Sequence, residues 1–279
     1  MKKFLLKKNG SKLPGFGLTL GFSLAYMSFL VLIPLGALVL YSTRSTPAGF
    51  LAIISDDRVS AAFEVSVLSA FYAALVNCFF GLAIAWMLTR YEFYGKKIID
   101  ALIDLPFAIP TAVAGISLAT VFSANGALGK LLANFNIEIA YSRTSIVIAL
   151  IFIGFPFIVR TVQPVLEDLD QEVEEAASSL GANFFQIFTR IIFPAIFPAL
   201  LTGFALAFAR GLGEYGSIIF ISSNMPYETE IVPLLIVKKL LQFDYVGASV
   251  IGVAMLVCAF LLLLSINFLQ GYARNRRGT

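Results

Sequence analysis

Six apolar runs, each near the length a helix needs to cross a lipid bilayer, limit what this chain can fold into. They cover about residues 18–41, 61–88, 98–122, 145–161, 195–221 and 248–270. A hydrocarbon core takes about 20 predominantly apolar residues per helix. Charge tells the same story: Asp, Glu, Lys and Arg make up 13% of the 279 residues, against about 25% in soluble domains. The expected fold class is therefore all-α, a polytopic membrane protein. Residues 18–270 form one membrane domain, flanked by tails at 1–17 and 271–279.

Prolines interrupt several runs, at Pro34, at Pro106 and Pro110, and at Pro156. A soluble helix would break there, whereas a bundle can satisfy the freed backbone groups from neighbouring helices, so kinks on protein-facing sides are expected. The basic start MKKFLLKKNGSK precedes an apolar run longer than a signal peptide's, with no small-residue cleavage site after it, and a retained first helix is expected. Trp86, the single tryptophan, lies near the end of a run, as an interfacial anchor would. Cys78 and Cys258 sit in separate apolar runs and read as packing residues. With no histidine in the chain, histidine-based zinc sites and histidine bases are excluded. No basic patch with interleaved aromatics points to nucleic acid.

Six spans put both ends on one side. Thirteen of the 20 Lys and Arg lie in the tails and the segments sharing their side, six lie opposite, and Arg210 falls within a span. The positive-inside bias makes both termini cytoplasmic.

The connection between the fourth and fifth spans, 162–194, is the longest cytoplasmic one and patterned like helix. Val173, Ala176, Ala177 and Leu180 repeat at i, i+3, i+4 and i+7, one face of a short helix. Gly181 follows as the residue most tolerant of a left-handed turn. A second apolar row runs through Phe184, Phe188 and Ile191, ahead of Pro194. Such short helices are unstable alone. They dock either on their own bundle, as an ordinary connector, or on a partner. Six acids (Glu167, Asp168, Asp170, Glu172, Glu174 and Glu175) precede or open the motif, either as a solvated face or as partners for bases on another subunit.

The fifth run holds Arg210 and Glu214 at i and i+4, on a row with Thr202, Leu206 and Ile218. Ionisable groups at this depth cost a few kcal/mol or more and mark a pathway or an internal pair. Both readings stand: a pair that fixes packing, or a translocation pathway in which Arg210 meets an anion. Asp100 and Asp104 are expected at the cytoplasmic interface.

Glu175-Ala176-Ala177, Gly181 four positions later, then Ile191 and Pro194 resemble the EAA loop of ABC importer permeases. Phe193 stands where that family usually has leucine before the proline. The resemblance implies a type I importer bundle whose loop is a coupling helix seated in a cytoplasmic ATPase. No G-x-x-x-x-G-K-[ST] phosphate loop occurs in the chain. ATP and magnesium would therefore be bound by that separate ATPase, with no cofactor in this chain.

The resemblance narrows further. LPFAIPTAVAG from Leu105 to Gly115 is similar to sulfate and molybdate permeases. The stretch Gly211 to Tyr245, with LTRYEFYGKK and VRTVQP, is similar to T-type sulfate/thiosulfate permeases. That family implies a W-type permease partner, two ATPase subunits, and a periplasmic or lipid-anchored binding protein contacting about 222–245. It also implies a location in the bacterial inner membrane. Molybdate or tungstate remains the alternative cargo. An ion-coupled secondary transporter and a non-transporting scaffold are the alternatives of other classes.

Overall fold

The computed structural model describes residues 15–275, apart from the side chains of 269–270 and 272–275. Most of the basic residues expected in the two tails lie outside the described residues. Among the described residues the chain is helical, with a single isolated bridge between Tyr141 and Ser222. Five helices are long and apolar enough to cross a membrane: α1 (Phe16–Ser42), α3 (Asp57–Arg90), α8 (Arg143–Glu167), α10 (Phe184–Leu212) and α13 (Tyr245–Asn275). Between α1 and α3 lies α2 (Pro47–Ile54), started by the Thr46 side chain, which accepts from the Gly49 N–H, and by Pro47 in its first turn.

The expected third span differs most from what forms. Instead of one helix over 98–122 there are α4 (Lys96–Ile103), α5 (Leu105–Ala108) and α6 (Thr111–Phe122). The break precedes Pro110, where Ile109 is extended at φ −90° and ψ 131°. A residue before proline is pushed out of the helical region by the pyrrolidine ring. Twelve residues rise about 18 Å, too little to cross the bilayer. A sixth span exists if α6 and α7 (Ala127–Ala133), bent at 41°, count as one. The fourth span is longer than expected, because α8 continues to Glu167 through Pro156 and Pro164 and takes in the start of the 162–194 loop. The fifth starts earlier, at Phe184, and stops at Leu212; only α11 (Ile218–Ile221) follows before 222.

Prolines that α1 and α10 tolerate share a solution. A π-helical turn at Ser28–Leu32 precedes Pro34, and another at Phe188–Ile192 precedes Pro194. Each proline ring would collide with the carbonyl four residues back. The wider turn removes that clash, and the N–H just before each proline (Ile33, Phe193) donates to the carbonyl five residues back, Ser28 or Phe188.

The core sits where α3, α8 and α10 meet, and each of the three packs extensively on the other two. Small residues permit the approach. Ala70, Ala73 and Ala74 of α3 are buried there with Ile158 and Val162 of α8 and Ala207 of α10. Asn77 is fully buried in the same seam and donates to the Ile151 carbonyl at 3.1 Å. By contrast, α1 stands on the outside: no residue of its most apolar eighteen-residue stretch is buried. It leans on α13.

Candidate functional site

The 162–194 loop forms the hairpin that its pattern predicts. Its first arm is α9 (Gln171–Ser179), capped by the Asp170 side chain, which accepts from the Glu172 N–H at 3.3 Å. The turn has a defined geometry. Gly181 lies in the left-handed region at φ 86°. Its N–H donates to the Ser178 carbonyl (2.9 Å), and the Ala182 N–H reaches back to Ala177 (3.0 Å). These two bonds satisfy the last carbonyls of α9 in a Schellman arrangement. Asn183 then restarts the chain. Its side chain accepts from the Gln186 N–H at 2.9 Å while the Gln186 side chain accepts from the Asn183 N–H at 2.9 Å, a capping box that opens α10. The N-x-x-Q spacing of Asn183 and Gln186 is a signal in the sequence for this helix start.

The hairpin has an inner and an outer side. Inward, Ala177, Ala182, Ile187, Phe188 and Ile191 pack on the bundle. Outward, Leu180 is 89% exposed, Phe184 69% and Phe185 72%, with Glu175, Ala176 and Gly181 also on the surface. Pro194 is half-buried where the long helix begins. The loop therefore rests on its own bundle and still presents an apolar edge.

Two residues at the end of α3 hold it there. Arg90 forms an ion pair with Glu174 and donates to the Leu169 carbonyl at 3.5 Å. Trp86 lies edge-on to Phe184 and Phe188, with ring centroids 6.3 and 6.1 Å away, and the Arg90 guanidinium sits 5.7 Å from its ring. Trp86, near the end of its apolar run, thus packs between α3 and the hairpin. Of the six acids, Glu174 is taken by Arg90, Asp170 caps α9, and Glu167 accepts from Gln163 at 3.0 Å.

Asp100 and Asp104 converge on Arg160 of α8. Its Nε and Nη2 donate to the two oxygens of Asp104 at 2.8 and 2.7 Å. Nη1 donates to Asp100 Oδ1 at 2.7 Å and to Gln163 at 3.0 Å, and Nη2 also reaches the Asp100 carbonyl at 2.8 Å. The planar guanidinium thus straps the broken α4–α5 segment to α8.

Arg210 and Glu214 do meet, Nη1 to Oε2 at 2.7 Å, but not along one helix, since α10 ends between them. The Glu214 side chain is 2% exposed and its other oxygen accepts from the Ser217 N–H (3.0 Å) and hydroxyl (3.1 Å). The Arg210 side chain remains 38% exposed. The carboxylate therefore pins the turn that leaves α10, while the arginine keeps an open face.

Beyond that turn, 213–231 folds back against the bundle end opposite the hairpin. Gly115 of α6 touches it so closely that a Cβ there would lie 2.3 Å from the Ser217 carbonyl oxygen. Tyr141 N–H and the Ser145 hydroxyl donate to the Ile221 carbonyl at 2.9 and 3.0 Å. Arg143 of α8 donates to the carbonyls of Glu228 (2.7 Å) and Tyr227 (3.0 Å). Arg58, in the first turn of α3, grips Glu230 with two bonds of 2.7 and 2.8 Å, and Lys238 of α12 (Val232–Leu241) adds a third at 2.6 Å. The Glu230 side chain is 1% exposed. Burial alone would raise its carboxyl, yet the hydrogen bonds from Arg58 and Lys238 outweigh that and hold it below the usual range. Nearby, Lys239 and the Gly247 N–H likewise hold Asp244 low. Arg58 and Glu230 are 172 positions apart, and no local pattern pairs them.

Comparisons with known proteins place this architecture. The family described as "Binding-protein-dependent transport system inner membrane component" matches residues 77–278. The sulfate transport system permease protein CysT of Escherichia coli (strain K12) is 49% identical over 258 residues, 92% of this chain and 93% of that one. Its namesake from Synechocystis sp. is 48% identical, covering 90% and 88%. A probable sulfate transport system permease protein of Nephroselmis olivacea is 47% identical, covering 91% and 89%. Among solved structures, a chain of a bacterial ABC transporter that imports the acidic polysaccharide alginate superposes with a TM-score of 0.76 at 18% identity, covering 92% and 94%. The fold is thus shared at low identity, and sequence identity near one half extends over nine-tenths of the chain. The chain belongs to the inner membrane components of binding-protein-dependent transport systems, and within them to the CysT permease proteins.

Proposed function

We propose that this chain is the T-type permease subunit of an ATP-driven importer that carries sulfate or thiosulfate inward by alternating access. The observation that carries the proposal is the Gly181 hairpin. It is locked in shape by the Schellman turn and the capping box, yet it exposes Leu180, Phe184 and Phe185 away from the bundle. An exposed apolar edge on a hairpin of fixed shape is a docking element for another protein. Glu175, Ala176, Ala177, Gly181, Ile191 and Pro194 would form the ATPase-coupling site. ATP and magnesium would sit on the two partner ATPase subunits, and hydrolysis belongs to them.

Both termini and the hairpin would face the cytoplasm, supported by the bias of Lys and Arg along the sequence. A W-type permease would complete the channel, and a binding protein would deliver the anion to the opposite end, near 222–245. Arg210, half exposed beside a sealed Glu214, is the candidate pathway cation. The relatives' names favour sulfate over molybdate or tungstate.

The test uses the complete transporter in vesicles. Cysteine in place of Ser178, which is exposed on α9, is expected to crosslink to the ATPase subunit, and radiolabelled sulfate uptake is expected to require ATP. Uptake driven by an ion gradient without ATP, or repeated failure to capture the ATPase, would refute the reading.

A further inference from the structure

How movement of the hairpin enters the bundle depends on where the chain is stiff and where it yields. The long helices on either side of the hairpin yield. The helix that leads into it, α8, carries Pro156 and Pro164, while α10 opens with the π turn at Phe188–Ile192 and carries Pro194 and Pro198. Each such site lacks or weakens a rung of the hydrogen-bond ladder and lets the helix bend. The contrast is α3, one unbroken helix of 34 residues without a proline, about 51 Å long.

At one end α3 grips both arms of the hairpin. Arg90, its last residue, binds Glu174 on the first arm and the Leu169 carbonyl just ahead of that arm. Trp86, one turn back, packs on Phe184 and Phe188 of the second. At the far end Arg58 holds the buried carboxylate of Glu230, next to the end of the re-entrant segment 213–231, by a two-point contact. We propose that α3 is a rigid lever linking the hairpin to the re-entrant segment, with Arg90 and Arg58 as the positioning residues that fasten its two ends. The inference rests on the importer reading above. Neither arginine touches substrate in this scheme; each transmits displacement.

A contact that merely holds the fold together would alter assembly or stability and leave unchanged the anion moved per ATP spent. A lever changes that ratio. The experiment is the full complex in proteoliposomes with its ATPase and binding protein, read as sulfate taken up per ATP hydrolysed. Arg90→Gln is expected to lower the ratio about tenfold with the complex still assembled, and Glu174→Gln to do the same from the other side of the contact. Arg58→Gln is expected to lower it too, and it should fold because Lys238 still pairs with Glu230. The double variant R58Q/R90Q should fall no further than the worse single variant, since links in series fail together. Unchanged ratios in assembled variants, or losses that multiply in the double variant, would overturn the lever. Should Arg90→Gln fail to assemble, Glu174→Gln reads the same link. A wild-type complex that takes up no sulfate with ATP would instead overturn the functional reading.

Discussion

At the scale of single residues, the charged groups of this protein work mostly as paired fasteners. Glu230 has the clearest consequence. Its carboxyl is held below the ordinary range by Arg58 and Lys238 despite burial, so the folded state favours the ionised form. Stability from this cluster is then fully present above the unfolded glutamate value of about 4.3. It is lost as pH falls through the lower folded value. The expected outcome is a melting temperature in detergent that drops below about pH 4 in the wild-type protein, with a smaller acid-dependent drop in Glu230→Gln; identical slopes would contradict it. Arg160 illustrates what sequence reading misses at this scale. Its partners Asp100 and Asp104 lie 60 and 56 positions away. Hydropathy marks all three as polar residues near the ends of apolar runs and says nothing of which meets which. Arg210 and Glu214 were adjacent enough in sequence to be paired correctly. The reason for their contact was different, because Glu214 seals a turn and does not continue a helix row.

At the scale of elements, glycines separate two kinds of cost. Gly181 has a left-handed backbone and open space where a Cβ would go, so Gly181→Ala meets only the conformational penalty, about 1–2 kcal/mol. Gly115 has an ordinary backbone but the Ser217 carbonyl oxygen 2.3 Å from its would-be Cβ. Gly115→Ala must push the re-entrant segment away, an overpacking cost of about 1–3 kcal/mol or more. Thermal unfolding should rank Gly115→Ala as the more damaging. Limited proteolysis should show new cleavage near 171–183 for Gly181→Ala and near 213–231 for Gly115→Ala. The opposite assignment of cleavage sites would refute this account. The hairpin was legible in sequence because its signals are local: a four-residue apolar rhythm and a glycine that ends it. The third span is not legible in the same way, because in sequence Pro106 and Pro110 look like kinks within one helix, whereas Ile109 turns extended ahead of Pro110 and the helix restarts at Thr111. The end of α10 at Leu212 carries no proline, and its signal is the short Gly213-Glu214-Tyr215-Gly216-Ser217 stretch, which the apolar residues around it mask as far as 221.

At the scale of the whole molecule, the two ends of the bundle are different objects. One end carries the Gly181 hairpin on Arg90 and Trp86; the other carries 213–231 on Arg58, Arg143 and Gly115. Cysteines at Ser178 and at Tyr227, in a background with Cys78 and Cys258 replaced by alanine, give a direct check of orientation. In sealed right-side-out vesicles a membrane-impermeant maleimide should label the cysteine at 227, and the cysteine at 178 only after the vesicles are opened. The reverse pattern would invert the topology. The all-α membrane architecture was readable from apolar length and charge deficit alone, since these are averages over many residues. Which helices form the core was not, because α1 and α3 are similarly apolar and differ in what packs on them.

That difference has a practical side for anyone handling the protein. No residue in the most apolar stretch of the first helix is buried by its siblings, so most of its environment must be furnished by acyl chains or by another subunit. Solubilisation replaces that environment with surfactant around α1 before it disturbs the tightly interlocked trio of α3, α8 and α10. Choice of surfactant and retained lipid will therefore decide whether the purified molecule keeps its outermost helix in place, while the interior stays as it was in the cell.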